Sequence, residues 1–335
     1  MRVDVRPSEV ISDLPPPLRP HLGLALQGGG AYGAFTWGVL DRLLEEKGFR
    51  PAAISGASAG AINAAVMVTG LLTGGREKAK AGLEALWRSV AGMALFRMMG
   101  TPGINLQLDL MTRMLSPYQF NPLNINPLRE LLGRLIDFEV LACRGRRIGL
   151  YFSATNVRTG EPRIFRENEL SVDVLMASSC LPYLHHAVEI EGENYWDGGF
   201  SANPPIMPMI FDSRCDTVLL VKLMPDTEEI MPTQAQPIFA RMRRLMFNAP
   251  LKRDLEALEI VQNRLRRTNM RLPRDLQRLR AMDLRSIAMP AELLSEGSGR
   301  NGAESIERMR VAGRIAAEAI LGKMAQPAGE TFRRP

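Results

Sequence analysis

Short apolar runs alternate with helical patterns along much of the chain. His21-Leu22-Gly23-Leu24-Ala25-Leu26 has the continuous apolar character of a strand buried on both faces, and a helix is expected from about Phe35 to Glu46. Ala52-Ala53-Ile54-Ser55 predicts a second buried strand, followed by a helix from Ala61 to Leu72. From Gly74 to Gly92 the pattern is amphipathic, with Ala81, Leu83, Leu86, Trp87 and Val90 on one helical stripe. Asn126-Pro127-Leu128 supplies a cap and a first turn for a helix to about Leu135. Arg147 to Ala154 predicts a central strand, Pro162 to Arg166 a short hairpin arm, Val172 to Ser179 a helix and Thr217 to Leu223 another buried strand. This alternation predicts an α/β fold, a three-layer α/β/α sandwich around a mostly parallel central sheet, with a helical C-terminal extension.

Three stretches break the alternation. Residues 1–20, with Pro15-Pro16-Pro17, read as an extended N-terminal lead-in. From Met93 to Phe120 the chain is rich in Met, Leu, Phe and Gly, which suits a lid or the wall of an apolar groove as well as it suits plain helical core. Beyond Pro237 the pattern turns helical and basic to about residue 290, with Arg241, Arg243, Arg244, Lys252, Arg253 and Arg264 interleaved with Leu, Ile and Met. Such a segment serves as a solvated helical face or rests on an anionic membrane surface; with only Phe239 and Phe247 for stacking, no nucleic-acid partner is expected. After the flexible Ser295 to Gly302, a helix over 303–325 with Ile306, Met309, Ala312, Ile315, Ala316 and Ile320 on one face is expected to dock on the core.

At 335 residues and 46% hydrophobic, the chain can bury a large core, and the basic stretch dominates its net charge of +6. Cys143, Cys180 and Cys215 are odd in number and widely spaced, so no disulfide framework or zinc site is visible. The start lacks the basic-then-apolar order of a signal peptide, so a cytoplasmic location is expected, with peripheral membrane contact open. The uncharged run Ala52 to Leu72 meets the crude criterion for a membrane span, but a strand, a turn and a helix account for it better.

Candidate chemistry gathers in the turns. Gly56-Ala57-Ser58-Ala59-Gly60 is a G-x-S-x-G elbow between strand and helix, a geometry that exposes one serine hydroxyl and leaves no room for neighbouring side chains. The three consecutive glycines Gly28, Gly29 and Gly30 follow the first strand, where unobstructed N–H groups can hold an oxyanion. Gly28, Gly30 and Gly33 also satisfy a dinucleotide fingerprint, but the acidic residue expected about 20 positions later is missing. Asp197-Gly198-Gly199 follows the hairpin-like Glu189 to Asn194; Asp197 is either a turn former or a buried base for Ser58. The chain has three histidines, His21, His185 and His186, and none follows Asp197, so a Ser, acid, His order cannot be built on it. A triad using His185 or His186 in another order stays open at this stage.

With glycine loop, serine elbow and acidic turn in this order, the chain resembles the patatin-like phospholipase family over about Leu22 to Pro205. The resemblance implies a serine acyl hydrolase with a Ser58–Asp197 dyad, an oxyanion hole at Gly28, Gly29, Gly30 and Gly33, elbow glycines Gly56 and Gly60, and acid-turn glycines Gly198 and Gly199. It also implies a catalytic domain over 21–225, an acyl-lipid substrate, and no cofactor or metal. Met176 to Pro182 looks like the small-residue stretch that members carry before the acid turn. One departure is Tyr32, where many members have Arg or Lys between the third and fourth glycines.

Overall fold

The computed structural model describes residues 21–47, 49–93, 115–144, 148–229, 231–295 and 302–324. The expected lead-in, most of the 93–120 stretch, the linker at 296–301 and the residues beyond 324 lie outside them.

Eight strands share one sheet: β1 (Leu22–Leu26), β2 (Ala53–Ala57), β3 (Gly149–Asn156), β4 (Pro162–Phe165), β5 (Val188–Ile190), β6 (Glu193–Asp197), β7 (Thr217–Lys222) and β8 (Asp283–Ala288). Followed from partner to partner, the hydrogen-bonded path is β5-β6-β3-β2-β1-β7-β8, with β4 paired to the other edge of β3. Strands β3, β2, β1, β7 and β8 run parallel, while β4, β5 and β6 add antiparallel pairings at one side. The parallel strands are apolar on both faces because helices cover both.

Among the described residues, the helices longer than one turn are α1 (Gly33–Leu43), α2 (Ala59–Gly92), α3 (Pro127–Leu135), α4 (Phe138–Arg144), α5 (Val172–Ser178), α6 (Ile206–Asp212), α7 (Ala235–Arg266), α8 (Arg274–Ala281) and α9 (Gly302–Met324). Side-chain alternation sorts them between two cores. Leu24 of β1 and Leu219 of β7 join Phe35, Leu40, Val66 and Leu86 of α1 and α2 on one face. Ala25 and Leu220 join Met209 of α6, Leu251 and Leu258 of α7 and Leu279 of α8 on the other. The expected break after Leu72 falls at Gly75, which leaves helical geometry at φ 76° inside α2.

Two expectations are corrected. The stretch expected to be helical to residue 290 ends in strand β8, which extends the sheet beside β7. Its charged sequence, Asp-Leu-Arg-Ser-Ile-Ala, hides the strand because only Ile287 is fully buried at this edge. In α9, Ile306 and Met309 are buried as expected, but Ile315 is 65% exposed. That helix crosses α1 so closely that a Cβ on Gly38 or Gly313 would collide with backbone of the opposite helix. Asp41 of α1 accepts hydrogen bonds from Arg310 at 3.1 Å and Arg314 at 2.5 Å.

Candidate active site

Ser58 stands between the end of β2 and the first turn of α2, at φ 52° and ψ −125°. A non-glycine residue there carries backbone strain of about 1–3 kcal/mol, which persists only where the surroundings over-determine it. Here they do: the Ser58 N–H donates to Ser178 Oγ at 2.9 Å, and its carbonyl accepts from the Ile62 N–H at 3.1 Å. The small residues fit two turns against each other. A Cβ on Gly60 would strike the Leu26 carbonyl, and one on Gly28 would lie 2.7 Å from the Ala57 carbonyl oxygen and 2.9 Å from Ser58 Cβ. Gly56 is packed similarly against the Gly60–Ala61 backbone.

Strand register brings Asp197 to the same place. β4 pairs with β3 over residues that overlap the partners of both β2 and β6, so β2 and β6 must share the opposite edge of β3. On that edge Ser153 is the partner of Ala57, and the next residue, Ala154, is the partner of Asp197. β2 and β6 therefore meet end to end, one running up to Ser58 and the other running up to Asp197.

The Asp197 side chain is 1% exposed, and its Oδ1 accepts the Gly199 N–H at 2.7 Å. Burial pushes its pKa up to about 7, against the opposing pull of that N–H and of a hydrogen bond from Ser58. Its backbone is clamped on both sides: the N–H donates to the Cys180 carbonyl at 2.8 Å, and the carbonyl accepts from Thr155 Oγ1 at 2.8 Å. Gly198 lies flat against the Ser153 backbone, and Gly199 lies under the Phe247 ring of α7, leaving room for hydrogen only at both Cα atoms. Phe200 meets Phe247 edge to face, with ring centroids 4.8 Å apart.

The four loop glycines divide into two roles. The Gly28 N–H is committed to Asn203 Oδ1 at 2.6 Å, and the Gly33 N–H turns back to the carbonyls of Gly30 and Ala31. Gly29 is half-buried and Gly30, at φ +57°, is exposed; among the described residues no hydrogen bond engages either N–H. The elements that hold this loop are polar and buried. Asn203 also donates to the carbonyls of Gly28 at 3.3 Å and Phe247 at 3.0 Å. Gln27 accepts the N–H groups of Leu223 and Met224 at 2.7 and 2.9 Å and donates to Asn248 at 3.1 Å. Asn63 donates to the carbonyls of Gly33 and Ala59 and accepts the Trp87 indole N–H at 3.0 Å. Tyr32 is half-buried; burial raises its pKa, while Arg244 and Arg243 of α7 oppose the rise.

Asn203, Gln27 and the Ser178 hydroxyl are the residues that sequence reasoning did not single out. The available signal was a lone polar residue between Leu26 and Gly28 for Gln27, and proximity to the acid turn for Asn203.

His185 and His186 are engaged elsewhere. His185 Nδ1 lies 3.3 Å from Asn126 Nδ2, and His186 Nε2 lies 3.1 Å from the Pro117 carbonyl while its ring stacks on Tyr118 at 4.0 Å. Burial and the neighbouring His186 hold the His185 pKa down. Among the described residues, no group of three or more His, Cys, Asp or Glu side chains is placed to hold a metal ion. No described helix is long and apolar enough to cross a membrane.

The family model for patatin-like phospholipases matches residues 24–210, more than half of the chain, and the chain belongs to that family. No curated protein sequence matches it. Among solved structures, VipD from Legionella pneumophila aligns with a TM-score of 0.47 and 16% identity, over 91% of this chain and 67% of VipD. The type III effector protein ExoU aligns with a TM-score of 0.40 and 15% identity, over 92% of this chain and 54% of that one. In the heterodimeric ExoU–SpcU complex from Pseudomonas aeruginosa the values are 0.36 and 18%, over 79% of this chain and 57% of that one.

Proposed function

We propose that the protein is a serine lipid acyl hydrolase in which Ser58 is the nucleophile and Asp197 the base. The observation that carries this is the meeting of β2 and β6, which sets a buried carboxyl against the hydroxyl of a strained serine. A carboxylate is a weak base at its ordinary pKa; raised to about 7, Asp197 is matched to proton transfer near neutrality.

In the acylation step Asp197 takes the Ser58 proton as Oγ attacks the ester carbonyl carbon. The developing oxyanion is held by the N–H groups of Gly29 and Gly30, while Gly28 and Gly33 keep the loop in shape. Protonated Asp197 then gives its proton to the leaving alcohol, and an acyl-enzyme remains on Ser58. In the second step water gives its proton to Asp197 and attacks the acyl carbon, and as the acyl–Oγ bond breaks Asp197 returns that proton to Ser58 Oγ, which releases the fatty acid and restores both residues. One oxyanion donor is worth about 2.7–4 kcal/mol, so the loop contributes as much as any single side chain except the nucleophile. Hydrogen-bonding both donors to the oxyanion requires no rearrangement of the Gly28 N–H, which stays with Asn203.

The test is a fluorophosphonate probe with a turnover screen on phospholipids, acylglycerols and soluble nitrophenyl esters. The wild-type protein is expected to be labelled and active, and Ser58→Ala to lose labelling and at least about 10⁴-fold in turnover. Turnover by Ser58→Ala at the parental rate overturns the assignment.

A further inference from the structure

The first half of α7 turns an apolar stripe toward solvent. Ile238, Phe239, Met242, Leu245 and Met246 are 38, 50, 50, 49 and 48% exposed. Their spacing places them along one side of the helix, opposite the buried Phe247, Leu251 and Leu258. Contiguous exposed apolar surface of this kind marks an interaction site.

The charge around the stripe identifies what it fits. From Gln234 to Arg253 the sequence carries Arg241, Arg243, Arg244, Lys252 and Arg253 and no Asp or Glu. Glu228 serves two of these cations at once, Arg241 at 2.9 Å and Arg244 at 2.6 Å. The Arg243 guanidinium is bonded to a neutral partner, the Tyr183 hydroxyl, at 3.3 Å. A two-fold pairing with a second copy would set these cations against themselves, whereas an anionic lipid surface complements both the apolar side chains and the charge.

Position points the same way. The opposite face of α7 carries Phe247, which covers Gly199 of the acid turn, so α7 roofs the site. A surface resting on the stripe would lie about one helix diameter, ~10–12 Å, from that turn. Tyr183, which Arg243 of α7 reaches, belongs to the same loop as His186, which stacks on Tyr118.

We propose that the Ile238–Met246 stripe of α7, flanked by Arg243, docks the protein on an anionic lipid surface and presents the Ser58 site to it. The proposal rests on the hydrolase reading for its purpose, but its test does not use turnover. The full chain, wild type and Ser58→Ala, is sedimented with phosphatidylcholine vesicles and with phosphatidylcholine–phosphatidylglycerol vesicles. Both proteins are expected to bind the anionic vesicles and to leave the neutral ones. Met242→Asp with Leu245→Asp is expected to reduce the partition about tenfold or more, and Arg243→Glu about fivefold. Ile315→Asp, an exposed apolar position on α9, is expected to change nothing. Far-UV circular dichroism and thermal unfolding confirm that each variant is folded. Equal binding to both vesicle types, no binding by the wild type, an unaffected folded stripe variant, or a wild-type dimer that the stripe variant converts to monomer overturns the proposal. Failure of the hydrolase reading shows instead as a missing fluorophosphonate label, with vesicle binding intact.

Discussion

The serine elbow and the acid turn meet on one edge of β3, yet they are held by different means. The elbow is a backbone construction: Gly28, Gly56 and Gly60 let two loops and a helix approach until no Cβ fits between them. The acid turn is shaped by small residues too, but it is clamped by hydrogen bonds on both sides of Asp197, to Cys180 and Thr155, and covered by the Phe247 ring. The difference teaches where each half of the site is vulnerable. Close packing resists most local perturbation and fails abruptly when a methyl is added, whereas a hydrogen-bonded clamp loosens one partner at a time.

The largest contrast comes from Asp197→Asn. If Asp197 is the base, the substitution lowers ester turnover about 10²–10⁴-fold, and wild-type turnover rises with pH to a plateau above about pH 7. The same substitution acts oppositely on stability. Asp197 ionises near 3.8 in the unfolded chain and near 7 in the folded one, so the folded state binds more proton between these values. The contribution of Asp197 to stability therefore falls as pH rises from about 4 to about 7, by up to about 4 kcal/mol, and Asp197→Asn lacks this component of the pH dependence. Urea unfolding at pH 5 and pH 8 checks it; equal slopes for the two proteins would remove the buried carboxylate from the account.

Asn203→Ala is next. It leaves the Gly28 N–H and the Phe247 carbonyl without their buried partner, at a cost of about 1–3 kcal/mol for each unsatisfied group. Because Asn203 holds the glycine loop and α7 together, turnover should fall as well, chiefly in kcat. A variant with full turnover and unchanged unfolding would show that the loop holds itself. The smallest expected effect is Ser178→Ala, which removes the acceptor of the Ser58 N–H. It should cost about 1–3 kcal/mol by thermal or urea unfolding and leave the acid turn's pH dependence in place.

The same division explains what was legible in sequence. The strands at Leu22–Leu26, Ala53–Ala57 and Thr217–Lys222 are buried on both faces and read as apolar runs, and the elbow reads as glycine spacing because each glycine marks a place where no Cβ fits. β8 was hidden because an edge strand keeps charged positions, here Asp283 and Arg285, in contact with water. Asn203 and Gln27 were hidden for another reason: their partners lie 175 and 196 or more residues away, and nothing in a local window distinguishes them from loop polar residues. Ile315 misled because helical spacing identifies a stripe but not how much of it the partner helix covers; α9 lies along α1 on Ile306, Met309 and Gly313 and leaves Ile315 to solvent.

The crossing of α9 on α1 has a consequence for the order of events during synthesis. The helix that begins at Gly33, immediately after the glycine loop, is made well before α9, and although Lys80 of α2 already reaches Asp41, the Gly38 groove stays uncovered until Arg310 and Gly313 have been made. A nascent chain that already contains both Ser58 and Asp197 is therefore still unfinished around its first helix. The order of the chain thus places completion of the cover over α1 after both halves of the candidate site have been made.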